Sequence, residues 1–327
     1  MFRTEIDIPL SEHKISLSTP LISLGSCFAD IIGGKLKSNK FNILSNPFGV
    51  IYNPISVFSL LETSVRKEDL PPSTYLENQE IHYNYCFHSD ISALTRTDLE
   101  RKASFAFHQV HQQLLKAKWI IITLGTAFVF RRKDNHEIVA NCHKIPDSFF
   151  SREMLEPEEI LNRFEKTYQM LSESNPGLRF IFTVSPVRHL RDTLPQNAVS
   201  KSILRYVCDK LVKTYDNVDY FPSFELLLDD LRDYRFYASD MVHPNDVSEN
   251  YIWEKFTTRY LDDNANSFLK DWDKLSRAVY HRPFYPESSA HQTFLVKTLK
   301  KLKQLNEQID VSEEIKVVEQ QIILPQK

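Results

Sequence analysis

The sequence predicts an α/β fold in which helices cover both faces of a parallel sheet. Three observations carry that expectation. Short continuous apolar runs recur, at residues 21–24, 119–124 and 179–184, as strands buried on both faces require. Longer helix-like segments separate them, the alternation that crossover helices of a parallel sheet produce. Each run stops at turn residues: Gly25, Gly125 and Ser185-Pro186.

Taken in order, residues 1–20 are polar and read as a lead-in strand or loop. Residues 21–25 form the first buried strand, and helix signals follow to about Lys40. Asn46 to Pro54 is a loop punctuated by two prolines and Gly49. Residues 55–65 are helix-like. Residues 71–95 are irregular and aromatic, with a strand pair near 81–87. A helix over 97–117 places Leu99, Phe105, Phe107, Val110, Leu114 and Leu115 at apolar positions. The strongest strand signal, Trp119 to Leu124, ends at Gly125, and residues 127–131 and 137–140 suit a hairpin around Asp134-Asn135. A long helix over 156–174 stops at Asn175-Pro176-Gly177. After the strand at 179–184 come a helix over 196–215 and a short strand at 218–221. Beyond about 265 the character changes, and residues 289–308 form a basic amphipathic helix. The expected division is one domain over 1–265 and a helical extension with a tail over 266–327.

The bulk composition narrows the function classes. Of 327 residues 42% are apolar and 25% charged, as in ordinary globular chains. A net charge of −3 offers no general basic field for nucleic acid. No apolar run reaches membrane-spanning length. Cys27, Cys86, Cys142 and Cys208 match neither metal nor thioredoxin spacing. They read as free thiols of a reducing, cytoplasmic compartment. Leu24 to Cys27 loosely resembles a lipoprotein cleavage site, but Ser16, Ser18, Thr19 and Pro20 break the apolar stretch such a signal needs. His82, His88, His108 and His111 match no familiar ligand pattern, so no metal is expected.

The stretch from Leu21 to Asp30 reads as strand, sharp turn and helix, with Ser26 in the turn. A serine there lies at the open carboxyl end of a parallel strand and beside a helix N-terminus, both favourable to polar chemistry. The same residues also suit a plain turn with a capping serine. A nucleophilic serine needs a base, a carboxylate to orient it, and donors for an oxyanion. Asp240 and His243 stand three residues apart, close enough for one turn to join them. The Ser26 amide and the bare N–H of Gly49 are candidate donors, and Gly125-Thr126 ends a strand at the same edge. Cys27 adjoins Ser26 and is expected to point inward as a small apolar group.

These blocks together resemble the SGNH/GDSL hydrolase superfamily. Within it, Gly25-Ser26-Cys27-Phe28-Ala29 spells the signature of the GSCFA family, and residues 46–54, 124–127, 141–144, 184–190 and 240–244 are similar to it as well. The resemblance spans roughly 20–260. It implies a three-layer α/β/α sandwich with a five-stranded parallel sheet, flavodoxin-like, and a serine esterase site needing no cofactor. Carried over, Ser26 is the nucleophile, His243 the base and Asp240 its partner, with Ser26 and Gly49 in the oxyanion hole. Where the superfamily has Gly-x-Asn, this chain has Gly125-Thr126-Ala127, so either Thr126 or Asn141 supplies the third donor. His143, Lys144, Arg188 and His189 are expected to face the crevice and bind an acyl oxygen or anionic group; they also suit ordinary loop polar residues. The expected reaction removes a small acyl group, acetyl foremost, from an ester such as an acylated carbohydrate. Transfer of that group to another alcohol, and a non-catalytic binding module on the same fold, are the alternatives.

Overall fold

A computed structural model describes residues 3–323, with Asp192 described by its backbone alone. In chain order the elements are β1 (Leu21–Gly25), α1 (Cys27–Ser38), β2 (Ile43–Ser45), α2 (Pro54–Arg66), β3 (Tyr75–Asn78), β4 (Ile81–Asn84), α3 (Arg96–Leu114) and β5 (Trp119–Leu124). They continue with β6 (Phe128–Arg132), β7 (Ile138–Val139), β8 (Phe150–Met154), α4 (Pro157–Ser174), β9 (Arg179–Val184), α5 (Thr193–Thr214), β10 (Val218–Tyr220) and the single turn α6 (Ser223–Glu225). The chain closes with α7 (Asp246–Tyr260), α8 (Asp263–Val279), α9 (Ser289–Leu305) and α10 (Ser312–Glu319).

Five strands pair in parallel in the order β10-β9-β5-β1-β2. Alternation along each strand builds the layers. Ile22, Leu24, Ile120, Ile122, Phe180 and Phe182 face α2, α3, α4 and α5 in one core. Leu21, Trp119, Ile121 and Ile181 face α1 and α7 in the other. This is the three-layer α/β/α sandwich. The strand order reverses between β1 and β5, so a crevice opens outside their carboxyl ends, where open α/β sheets bind ligands.

The helix starts follow from local chemistry. Asn53 accepts from Ser56 N–H ahead of Pro54, Thr95 caps α3 through Asp98 N–H, and Asn245 caps α7 through Ser248 N–H. The early strand pair falls at β3 and β4, six residues before its expected start. Gln79 and Glu80, both at positive φ, make the two-residue turn between them. The expected hairpin is β6 and β7, and β8 adds a third strand across β6. Beyond the sandwich, α8, α9 and α10 share their own apolar cluster of Trp272, Val279, Leu295, Leu302, Val311 and Val318. Trp272 Nε1 donates to Ser38 O at 2.9 Å and Lys40 pairs with Glu314 at 2.7 Å, which ties this cluster to the end of α1. Among the described residues no helix is long and apolar enough to cross a membrane.

Candidate active site

Ser26 is set by the glycine before it. Gly25 has φ +135°, and a Cβ there would stand 2.1 Å from Thr123 O, so only glycine lets β1 lie this close to β5 and turn at once. Gly25 N–H donates to Asn46 Oδ1 at 2.9 Å, and its carbonyl accepts from Ile51 N–H at 2.8 Å. The loop after β2 is thereby laced to the serine turn. Ser26 caps α1, and its Oγ accepts from Phe28 N–H at a long 3.4 Å, a weak bond that leaves the hydroxyl proton uncommitted. The residue is 1% exposed. Gly125 flanks it, where a Cβ would come within 3.2 Å of Ser26 Cβ. Cys27, next along, is half-buried, and burial pushes its thiol above the ordinary range.

Asp240 and His243 form a pair on the loop that leads into α7. Asp240 Oδ1 accepts from the Val242 and His243 amides at 2.9 and 3.0 Å, while Oδ2 lies 2.7 Å from His243 Nδ1. The two amides, with the imidazole behind them, hold the carboxyl at about 2. A carboxylate at that value only accepts, so Nδ1 carries the proton and Nε2 keeps a free lone pair. Both side chains are 48% exposed. Arg188 N–H reaches Val242 O at 3.3 Å, which sets this loop against the segment following β9, at the same carboxyl edge as Ser26. Ser26 and His243 do not hydrogen bond to each other. Tyr52 and His189 stand between the two halves. The Tyr52 carbonyl accepts from the Gly125 and Thr126 amides at 2.8 and 3.1 Å, and its ring meets the His189 ring edge-on at 5.5 Å. Burial first, then the nearby charge of Lys201, holds His189 at about 3, and its Nε2 is buried without a partner.

The expected oxyanion donors are engaged within the protein. Ser26 N–H donates to Thr123 O at 3.0 Å and Gly49 N–H to Asn46 O at 2.8 Å. Gly49 is held at φ +71°, with room for no Cβ beside His88. Thr126 Oγ1 lies 3.0 Å from Ser200 Oγ and accepts from Phe128 N–H at 3.1 Å, so it shapes the turn into β6. Asn141 Oδ1 accepts from His143 N–H at 2.8 Å.

The expected binding residues separate in the same way. His143 is a correction: its Nε2–H donates to Asn84 O at 2.8 Å and Nδ1 accepts from Ser89 Oγ at 3.2 Å, so no ring nitrogen is left for a ligand. Burial holds it neutral, at about 4. It also stacks on Tyr83 at 4.7 Å. Lys144 is exposed at positive φ. Arg188 lies 4.1 Å over the Tyr237 ring and donates to Met241 O at 3.3 Å, so it supports the Asp240 loop. His189 alone of the four lies between Tyr52 and the Asp240–His243 loop.

Sequence reasoning missed Lys201. It lies on the buried face of α5 with Asn197, Leu204, Cys208 and Leu211, and its Nζ donates to Gly125 O and Ser185 O at 2.7 Å each. The signal was its helical spacing, which puts a lysine in an apolar stripe.

Residues 20–256 match the family model described as GSCFA family, and residues 272–323 match the one described as GSCFA domain protein, C-terminal domain. No curated protein matches the chain. Among solved structures, it is similar to a Streptococcus pneumonia protein provisionally named as a platelet activating factor. That likeness has 12% identity and a TM-score of 0.37, covering 73% of this chain and 84% of that one. A score so low carries no argument about fold or activity. The match over most of the sandwich, with the Ser26 turn inside it, does identify the chain: it belongs to the GSCFA family.

Proposed function

We propose that the protein is a serine acyl hydrolase of the SGNH/GDSL type, acting on a small ester such as an O-acetylated carbohydrate. One observation carries the reading. A buried serine with an uncommitted proton sits at the switch point of the sheet, and the same edge bears an Asp240–His243 pair whose Nε2 is free. In the reaction Ser26 Oγ attacks the ester carbonyl, and His243 Nε2 takes its proton as the C–O bond forms. Asp240 holds the tautomer and balances the imidazolium. His243 returns the proton to the departing alcohol, leaving an acyl-Ser26. Water, deprotonated by His243, releases the acid and restores the serine. The N-terminus of α1 favours the negative oxygen. The Ser26 and Gly49 amides join in by exchanging their present carbonyl partners for that oxygen.

A second reading, a binding module on the same fold, draws on two facts: the engaged donors and the absence of a Ser26–His243 bond. Labelling with a fluorophosphonate probe, with the modified peptide located by mass spectrometry, separates the two. Label on Ser26 that is lost in Ser26→Ala and His243→Ala supports the hydrolase. An unlabelled wild type favours the binding module. Four free cysteines fit the reducing cytoplasm we infer as its compartment. Transfer of the acyl group to another alcohol uses the same acyl-Ser26, and product analysis with added acceptor alcohols tests it.

A further inference from the structure

Lys201 holds a charge where the packing alone would favour a hydrocarbon. Its side chain is 1% exposed, and its neighbours on the buried face of α5 include Leu204, Cys208 and Leu211. No carboxylate among the described residues pairs with it; its Nζ is met by the carbonyls of Gly125 and Ser185, both at 2.7 Å. Removing an ammonium from water without a counter-ion is unfavourable, and methionine would fill similar space without that cost. Burial draws its titration down to about 7, against the two carbonyls, which favour the charged form. The titratable groups facing it are Cys27 on α1 and His189 beyond β9. On another side the Phe224 ring lies 6.0 Å away.

The position of the two carbonyls gives the charge a use. Gly125 O and Ser185 O belong to the turns that end β5 and β9. The Gly125 peptide is held at both ends, its N–H on Tyr52 O and its carbonyl on Lys201, and its bare Cα abuts Ser26. As an ammonium Lys201 has no lone pair, so it cannot take the Ser26 proton. What it offers is an amine poised between its neutral and charged forms in a dry site, within electrostatic reach of Cys27, the residue that follows Ser26; a negative charge forming on Ser26 Oγ holds the proton on it.

We propose that Lys201 is a positioning residue of the Ser26 site: it fixes Gly125 against the serine and supplies a buried positive charge that favours the negative oxygen formed on attack. This rests on the serine reaction proposed above.

Methylboronic acid tests it at equilibrium. Ser26 Oγ bonds to boron while His243 takes the hydroxyl proton, which leaves a tetrahedral boronate anion in the site. Wild type, Ser26→Ala and Lys201→Met are compared for boronate affinity by calorimetry and for fluorophosphonate labelling, split into probe binding and covalent step. Lys201→Met leaves the Gly125 and Ser185 carbonyls without a donor, so it is expected to melt somewhat below wild type yet to bind the probe equally well. It should lose about tenfold or more in boronate affinity and in the covalent step. A purely structural lysine would instead weaken probe binding along with the covalent step, with no separate loss in the covalent step. Equal boronate affinity in wild type and Lys201→Met overturns the inference. Should the variant not fold, side-chain ammonium NMR of the wild type decides: the titration midpoint of Lys201 rises on boronate formation, and an unmoved midpoint overturns the idea. A wild type that takes neither probe nor boronate refutes the serine reading itself, and the role of Lys201 with it.

Discussion

Three glycines near the serine turn face three different surroundings, and one substitution, glycine to alanine, separates them. At Gly25 the backbone sits at φ +135° and a Cβ would lie 2.1 Å from Thr123 O. An L-residue held there is strained by about 1–3 kcal/mol. Relieving the overlap means moving β1 away from β5 by about an ångström, since ordinary contact begins near 3.4 Å, and overpacking of that kind costs a further 1–3 kcal/mol or so. Gly25→Ala is therefore expected to lose about 2–6 kcal/mol. The same shift would pull Ser26 N–H off Thr123 O and displace the serine. At Gly33 the new methyl would meet the Ser45 hydroxyl at 2.0 Å and its Cβ at 2.9 Å; the hydroxyl can rotate away, but the Cβ yields only if α1 and β2 part slightly. There the helix gain of about 1 kcal/mol from replacing glycine offsets only part of an overpacking cost of about 1–3 kcal/mol, so a small net loss is expected. At Gly34 nothing lies within 4 Å, and alanine should stabilise α1 by about 0.5–1 kcal/mol. Urea unfolding of the three variants gives the stabilities, and fluorophosphonate labelling reports the serine. If Gly25→Ala unfolds within 1 kcal/mol or so of wild type, the positive-φ turn cannot be what sets Ser26.

Three other outcomes follow from the same geometry. His143 and His189 are held by burial at about 4 and about 3, below their ordinary value of 6.5. The unfolded chain therefore binds more protons between pH 6.5 and 4; stability is full above that window and falls as the pH drops through it. His143 alone accounts for about 3 kcal/mol at pH 4, and His143→Gln should show a shallower fall in urea titrations at pH 7.5 and 4.5; an equal slope would argue that the ring is solvated. In Asp240→Asn the amide oxygen keeps the Val242 and His243 amides and turns its NH2 toward His243 Nδ1. The imidazole proton then moves to Nε2, so labelling of Ser26 should slow about a hundredfold or more with no change in melting; an unchanged rate would exclude His243 as the base. Trp272→Ala removes the anchor of the C-terminal helices on Ser38 and should cost about 3–5 kcal/mol. Limited proteolysis should then release α9 and α10 first while the labelling rate stays at the wild-type value, and a slowed rate would tie these helices to the site.

The sequence by itself determined those features whose cause is local. β1, β5 and β9 are apolar runs that no other element suits, and Gly25 announces the serine turn because so few glycines are available. The Asp240–His243 pair is legible because a bond between residues three apart needs only one turn of chain. α8 carries Phe268, Trp272, Leu275 and Val279 at helical spacing, a signal that the sequence reading missed, and α7, rich in polar residues, is signalled by little beyond its Asn245 cap. Tertiary structure decided the rest. β2 spans three half-buried residues, too few for a pattern, and becomes a strand only because β1 offers it an open edge. β8 is amphipathic over five residues and exists as a partner for β6. His143 looked like a ligand contact in a loop, but long-range bonds to Asn84 and Ser89 made it a buried strut. The Ser26 and Gly49 amides looked free until the sheet and the Asn46 turn supplied carbonyls for them. Lys201 is the clearest case: helical spacing places it facing inward, but only the sheet brings the carbonyl ends of β5 and β9 to its ammonium. Bonds within a turn are written in neighbouring residues; a donor's partner across the fold is set by which chain ends the packing brings together.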